Sequence, residues 1–135
     1  MLVLDASSVL AWAYAEEIGH LDAVIDCVVA DGARVPAHWI LEVTNTLLAG
    51  ERRNRLKSGQ WRQFLAEIAA LPIQVDADTS VRGWDAIPRL AQQHKLTSYD
   101  AAYLELALRL DVPLATLDAD LARAARAVGV PLYGT

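Results

Sequence analysis

Short apolar runs alternate with longer amphipathic stretches along the whole chain, and the two carry different periods. "LVL" (2–4), "ARVPA" (33–37), "PIQVD" (72–76), "VPLATLD" (112–118) and "PLY" (131–133) predict five brief strands. Between them, apolar residues recur at helical spacing. "SSVLAWAYA" (7–15) has Ser7 or Ser8 as its capping residue, and "HLDAVIDCVVAD" (20–31) is ended by Gly32. A long helix follows from about His38 to Arg53, then another in "GQWRQFLAEIAAL" (59–71). "TSVRGWDAIPRLAQQHK" (79–95) reads as one helix kinked at Pro88. The helix in "LTSYDAAYLELALRL" (96–110) is apolar on several faces, with Ser98 placed to cap it, and "ADLARAARAVG" (119–129) is the last. Strands separated by helices imply a parallel sheet covered on both faces, a three-layer α/β/α sandwich. Ligands of such sheets bind beyond the carboxyl ends of the strands, where the strand order reverses.

Composition narrows the class. A chain of 135 residues with 54% hydrophobic content is enough for one domain, residues 1–135, with a sizeable core. Pro and Gly are spaced apart, so no linker or low-complexity segment is expected. The apolar runs fall far short of a membrane span and the first residues lack the basic stretch of a secretory leader. A soluble cytoplasmic protein with no membrane partner is the expectation. Cys27, alone in "VIDCVVA", reads as a small buried core residue. The net charge of −5 argues against nonspecific nucleic-acid binding. One exception is "ERRNRLK" (51–57), which as a solvated helix end would simply complement the helix dipole.

The acids then stand out by position. Asp5 and Asp118 each follow a predicted strand directly, and Thr116 lies two residues before Asp118, on the same strand face. Asp100 opens an otherwise apolar helix. Glu42 lies in the first half of "HWILEVTNTLLAG" (38–50), and Asn45, three residues on, shares its face. Each has an ordinary explanation. Asp5 and Asp118 can cap helices, Asp100 gains about 0.3–1 kcal/mol from a helix dipole, and Glu42 can reach solvent. Their convergence has none, because carboxylates brought to one sheet edge repel unless a cation holds them. The donors are hard oxygens. The three histidines (His20, His38, His94) lack ligand spacing and read as surface or structural residues. That favours Mg²⁺ or Mn²⁺ over zinc. There is no Walker A loop, dinucleotide fingerprint or Ser-His-Asp order. These residues point to Mg²⁺-dependent phosphoryl chemistry and name no substrate.

The ordered set "LVLDASSVL", "EVTNTL", "SYDAAYLELAL" and "ATLDADLARAA" resembles the PIN-domain ribonucleases, and among them the VapC-type toxins of bacterial toxin–antitoxin pairs, from about Val3 to Val130. The resemblance implies a PIN-like sandwich of about five strands and a Mg²⁺-dependent endoribonuclease, Mn²⁺ able to substitute. It implies that Asp5, Glu42, Asp100 and Asp118 are the catalytic and metal-binding acids, Asp5 and Asp100 foremost. Ser7, Asn45 and Thr116 would support them by hydrogen bonds, while Asp120 reads as a first-turn helix acid. Water would attack an RNA phosphodiester in line, leaving a 5′-phosphate and a 3′-hydroxyl. Arg52, Arg53, Arg55 and Lys57 would then track RNA. The implied partners are RNA and a cognate antitoxin, in a homodimer or in a heterotetramer or larger assembly. The helices bearing Trp12 and Trp39 would offer the antitoxin an apolar groove. The alternatives are a non-catalytic PIN-like interaction module and a small-molecule phosphatase of the aspartyl-phosphate kind. The latter wants a second Asp two residues after the nucleophile, where this chain has Ser7.

Overall fold

Leu2, Val3 and Leu4 have no exposed surface at all. A strand made only of large aliphatic residues is stable when both of its faces are covered, each side chain contributing about 1.5–3 kcal/mol on burial. The computed structural model describes residues 1–14 and 21–134, and in it this strand, β1 (Leu2–Leu4), lies inside the sheet. It leads into α1 (Ala6–Ala13) and α2 (Leu21–Asp31). Strand β2 (Ala33–Val35) leads into α3 (Trp39–Arg52) and α4 (Gln60–Ala69). Strand β3 (Ile73–Val75) is followed by α5 (Thr79–Arg82), α6 (Ala86–His94) and α7 (Ser98–Leu110), and β4 (Leu114–Ala115) by α8 (Ala119–Ala127).

The four strands are all parallel, in the order β3-β2-β1-β4. The chain moves outward from β1 through β2 to β3, then returns to the other side of β1 as β4. Helices α1 to α4 pack among themselves, whereas α7 packs on α6, α8, β1 and β4. With right-handed crossovers this places the two helix groups on opposite faces of the sheet, the three-layer sandwich expected from the alternation. Helix α7 is nearly enclosed: Ala101 to Ala107 are all buried, including Tyr103, Leu104 and Leu106.

Several local expectations need correction. The segment "PLY" makes only a bridge, Leu114 with Leu132, so the sheet has four strands rather than about five. Pro131 has no N–H to continue a ladder, and the chain turns at Gly134, whose φ is +84°. Neither Ser7 nor Ser8 caps α1; Asp5 holds that position. Thr97, not Ser98, caps α7, its hydroxyl accepting from the Asp100 N–H at 3.1 Å. Residues 79–95 form two helices rather than one kinked at Pro88. The break falls at 83–85, and Pro88 sits in the first turn of α6, where an N–H has no helical partner to lose. Cys27 is half-buried at the edge of the core, not inside it. Trp39 is core, 5% exposed, and Trp12 is half-buried against the core. His20 lies outside the described residues.

Beyond β3, Asp76 is buried, and Arg109 of α7 meets it with two hydrogen bonds, NH2 to Oδ2 at 2.7 Å and NH1 to Oδ1 at 3.2 Å. The same guanidinium donates through Nε to Glu105 Oε1 at 2.8 Å, and Glu105 is buried too. This pins the edge strand to the most enclosed helix. Removing one member of a buried ion pair costs about 3–5 kcal/mol, because the remaining charge stays desolvated. We expect Arg109→Ala to lower the urea midpoint by an amount on that scale, whereas Arg89→Ala, at an exposed pair with Asp85, leaves it almost unchanged. Equal losses in the two variants would show that the Asp76–Arg109–Glu105 cluster contributes no more than a surface pair.

Candidate active site at the carboxyl edge of the sheet

Because β1 and β4 are neighbours from which the chain departs in opposite directions, their carboxyl ends form the switch point of the sheet. Asp5 stands at the end of β1, its N–H bonded to Ala115 O at 3.0 Å. The segment Thr116–Asp118 leaves β4 beside it. Asp5 Oδ2 accepts from Thr116 Oγ1 at 2.6 Å and from Ser7 Oγ at 2.8 Å. Each hydroxyl in turn accepts a backbone N–H, Ser7 Oγ from Leu117 at 3.0 Å and Thr116 Oγ1 from Asp118 at 3.0 Å. A hydroxyl has one proton to give, and both protons are committed to Asp5. The relay sews the two strand ends together around a single carboxylate.

That carboxylate is expensive to keep ionised. Burial raises its pKa, Thr116 and Ser7 hold it down, and the charges of Glu42 and Asp118 push it up again, with a net rise. Asp100, in the first turn of α7, is pushed up to about 6 by burial and by Asp118, Asp5 and Glu42, against the Thr97 hydrogen bond. Glu42, on α3, behaves oppositely. Burial raises its pKa, but His38 and the Tyr103 hydroxyl more than offset that, and it lies below the usual range. Tyr103 donates to Glu42 Oε1 at 2.8 Å, and His38 Nε2 lies 2.9 Å from the same oxygen as a charge contact. The phenol itself is raised by burial and by the charges of Asp5 and Glu42, so it remains a donor.

All four acids line one cleft of about 380 Å³, together with Ser7, Tyr14 and Thr46. Among the described residues no Lys, Arg or His lines it. The capping explanation divides. Asp118 Oδ1 does cap α8, accepting from Leu121 N–H at 2.8 Å, whereas the Asp5 side chain makes no cap hydrogen bond. As the side chains stand, no three Asp, Glu, His or Cys groups among the described residues surround one point closely enough to hold an ion.

The remaining sequence-derived residues distribute unevenly. Ser7 and Thr116 bear directly on Asp5. Asn45 is exposed and lines neighbouring cavities rather than this cleft. Asp120 is exposed beside Arg123 at 3.6 Å, a first-turn helix acid. Arg52, Arg53, Arg55 and Lys57 are all exposed at the end of α3 and beyond it. The sequence reading passed over Tyr103 and the proximity of His38 to Glu42. Both had a signal: His38 precedes Glu42 by one helical turn, and Tyr103 follows Asp100 by three residues.

A parallel α/β/α sandwich with acids gathered at its switch point defines a class of domain, and the comparisons agree with it. The family model described as "PIN domain" matches residues 2–127, and the chain belongs to that family. PIN domains are typically metal-dependent nucleases. Among solved structures the fold is similar to that of PAE2754 from Pyrobaculum aerophilum. The TM-score is 0.69 at 24% identity, over 91% of this chain and 83% of that one. It is also similar to FitAcB from Neisseria gonorrhoeae, with a TM-score of 0.61 at 18% identity over 98% of this chain and 96% of that one. At these identities the likeness speaks for the fold. No curated protein matches in sequence. Among the described residues no helix is long and apolar enough to cross a membrane.

The raised acids set a pH dependence. A carboxyl group whose pKa is higher folded than unfolded binds its proton more tightly in the folded state, so it favours folding at low pH and opposes it at high pH. For Asp100 the window runs from about 6 down to 3.8. In chelator, the melting temperature should rise as the pH is lowered from neutrality through that window, and Asp100→Asn should flatten the rise. The lowered pKa values of Glu42, from 4.5, and of Asp76, from 3.8, act with the opposite sign, so those two groups lose stabilisation as the pH falls below these values. A wild-type profile that falls steadily from pH 7 to 4 would contradict the crowding of these acids.

Proposed function

We propose that this PIN domain is a divalent-metal-dependent endoribonuclease, the toxin of a VapC-type toxin–antitoxin pair, acting in the cytoplasm. One observation carries the nuclease reading: four carboxylates line a cleft to which the described residues bring no cationic side chain, one of them buried and held by hydroxyls instead of being used as a cap. A non-catalytic module would have no reason to hold Asp5 in this state, and an aspartyl-phosphate phosphatase would want a carboxylate where Ser7 stands.

The donor set fits a hard divalent cation. Asp5 and Asp100 would hold it foremost, with Glu42 and Asp118 reaching it directly or through water. Mg²⁺ retains several waters and needs few protein ligands, so carboxylates spread by their own repulsion remain compatible with it, and Mn²⁺ can substitute. Such an ion would supply positive charge to the phosphodiester and acidify the attacking water. The chain's own groups do the positioning. Ser7 and Thr116 fix Asp5 through Oδ2. His38 and Tyr103 hold Glu42 at Oε1 and keep that carboxylate ionised, placed to orient the attacking water. The water oxygen bonds to phosphorus and loses its proton as the bond to the 3′-oxygen breaks, and the departing 3′-oxygen takes up a proton from solvent, giving a 5′-phosphate and a 3′-hydroxyl. Since the described residues bring no cation to the cleft, an inhibiting antitoxin would insert Arg or Lys beside Asp5.

Asp100→Asn tests the assignment. With one charge of the crowded cluster removed, the variant should melt at the same temperature as wild type or higher in chelator. Mg²⁺ should raise the wild-type melting temperature and scarcely move the variant's. Cleavage of single-stranded RNA should fall by orders of magnitude. A variant that melts lower, cleaves normally and answers Mg²⁺ like wild type would return Asp100 to a helix-dipole role. For the toxin role, co-expression with the product of the adjacent reading frame should suppress cleavage. Full activity in a saturated complex would count against it.

A further inference from the structure

The acidic cleft does not end at Asp5. Tyr14 and Thr46 line it and also line a second cavity of about 660 Å³, with Asn45, Ala49, Gly50, Arg53, Arg55, Leu56, Gln60 and Phe64. Glu42, Thr46, Ala49 and Arg53 follow one another along one face of α3, so the path from the acids to Arg53 is about 16 Å of helix. Among the described residues no carboxylate lines the second cavity. It carries two guanidinium groups, and among the described residues neither makes an ion pair.

The end of α3 explains how both arginines arrive there. Asn54 adopts φ +59°, Asn54 N–H bonds to Glu51 O at 3.0 Å, and Arg55 N–H bonds to Gly50 O at 2.8 Å. These two bonds make a Schellman turn. It folds the chain back over the last turn of α3, so Arg53 and Arg55 both border the cavity. A Cβ at Gly50 would meet Leu56 Cγ at 3.4 Å and Tyr14 Oη at 3.6 Å, so the missing side chain lets those residues form the cavity floor. Phe64 stands edge-on to Tyr14 with ring centroids 5.2 Å apart.

We infer that this cavity is a nucleotide subsite for the RNA strand that enters the acidic cleft, with Arg53 and Arg55 on phosphate, the Tyr14–Phe64 pair against a base, and Asn45 and Gln60 offering hydrogen bonds. The size fits, since ligand cavities run from about 300 to 1,000 Å³. The charge fits as well: an anionic strand is repelled by four carboxylates and needs a cationic hold beside them. Arg and aromatic groups together are how single strands are held without sequence readout. Of the basic residues in 51–57, the structure selects Arg53 and Arg55. Arg52 and Lys57 lie outside this cavity. The inference rests on the ribonuclease reading for the identity of the strand.

A fluorescein-labelled single-stranded RNA of random sequence, titrated in chelator so that no cleavage occurs, reads the subsite separately from catalysis. The double variant Arg53→Ala/Arg55→Ala should bind at least about tenfold more weakly, and its salt slope should fall by about 1.4, or about 0.7 per lost phosphate contact. Arg52→Ala/Lys57→Ala removes the same charge from the same segment and should weaken binding much less. Ala49→Phe fills the cavity while keeping both arginines, and should also weaken binding. Equal losses in the two double variants, or wild-type affinity in Ala49→Phe, would overturn the subsite in favour of diffuse charge. Binding of a poly-glutamate peptide in place of the RNA would overturn it in favour of a protein ligand. On a cleavable RNA with Mg²⁺, the arginine variant should raise KM and keep kcat, whereas Asp100→Asn should keep binding and lose kcat. If wild type binds RNA through the cavity but never cleaves it, the nuclease reading fails and the subsite stands.

Discussion

A carboxylate buried at the end of the innermost strand is the constraint around which the rest of this domain is arranged. Asp5 follows three fully buried aliphatic residues, so the packing that stabilises β1 also carries a charge into low dielectric. An isolated buried carboxylate would take up a proton or destabilise the fold. Here Ser7 and Thr116 give it both of their protons, and the amides of Leu117 and Asp118 satisfy those hydroxyls. The solution requires β4 to lie beside β1 and the chain after β4 to turn across its end. The order of the sheet and the geometry of the site are therefore one arrangement.

The other three acids are held by different means, and the differences matter for chemistry. Asp118 spends one oxygen on capping α8. Glu42 is fastened through one oxygen and kept ionised by its neighbours. Asp100 has its amide capped by Thr97, while its carboxylate is raised first by burial and then by the charges of Asp118, Asp5 and Glu42. In the proposed reading, a cation held in a cleft where one acid is buried, one pinned, one used as a cap and one raised would offset their mutual repulsion. Arg53, on the same face at the end of α3, and Arg55, in the turn that folds back after it, lie outside that crowd, so opposite charges are kept apart instead of neutralising one another.

Stability is built where the site is not. The bidentate contact between Arg109 and Asp76, with Glu105 behind it, holds the edge strand β3 to α7 on the side away from β4. That leaves the β1–β4 edge free to keep unfavourable charge.

What the sequence determined by itself was periodic or positional. Alternating short apolar runs and amphipathic stretches require a covered parallel sheet, whatever the tertiary details. Acids directly after "LVL" and "PLATL" must lie at the carboxyl edge of that sheet, because strands fix direction. Hydroxyls two residues from Asp5 and Asp118 were legible for the same reason. Other features depended on contacts between distant segments. "PLY" has strand composition, but Pro131 and the turn at Gly134 reduce it to a bridge. Thr97 displaced Ser98 as a cap by one position, a choice set by backbone angles that composition does not specify. Tyr103 reaches Glu42 across 61 residues, and Asn45, one helical turn from Glu42, faces the neighbouring cavities. Local spacing places a residue on a face of its own element. Which neighbour that face meets is decided only when the layers pack.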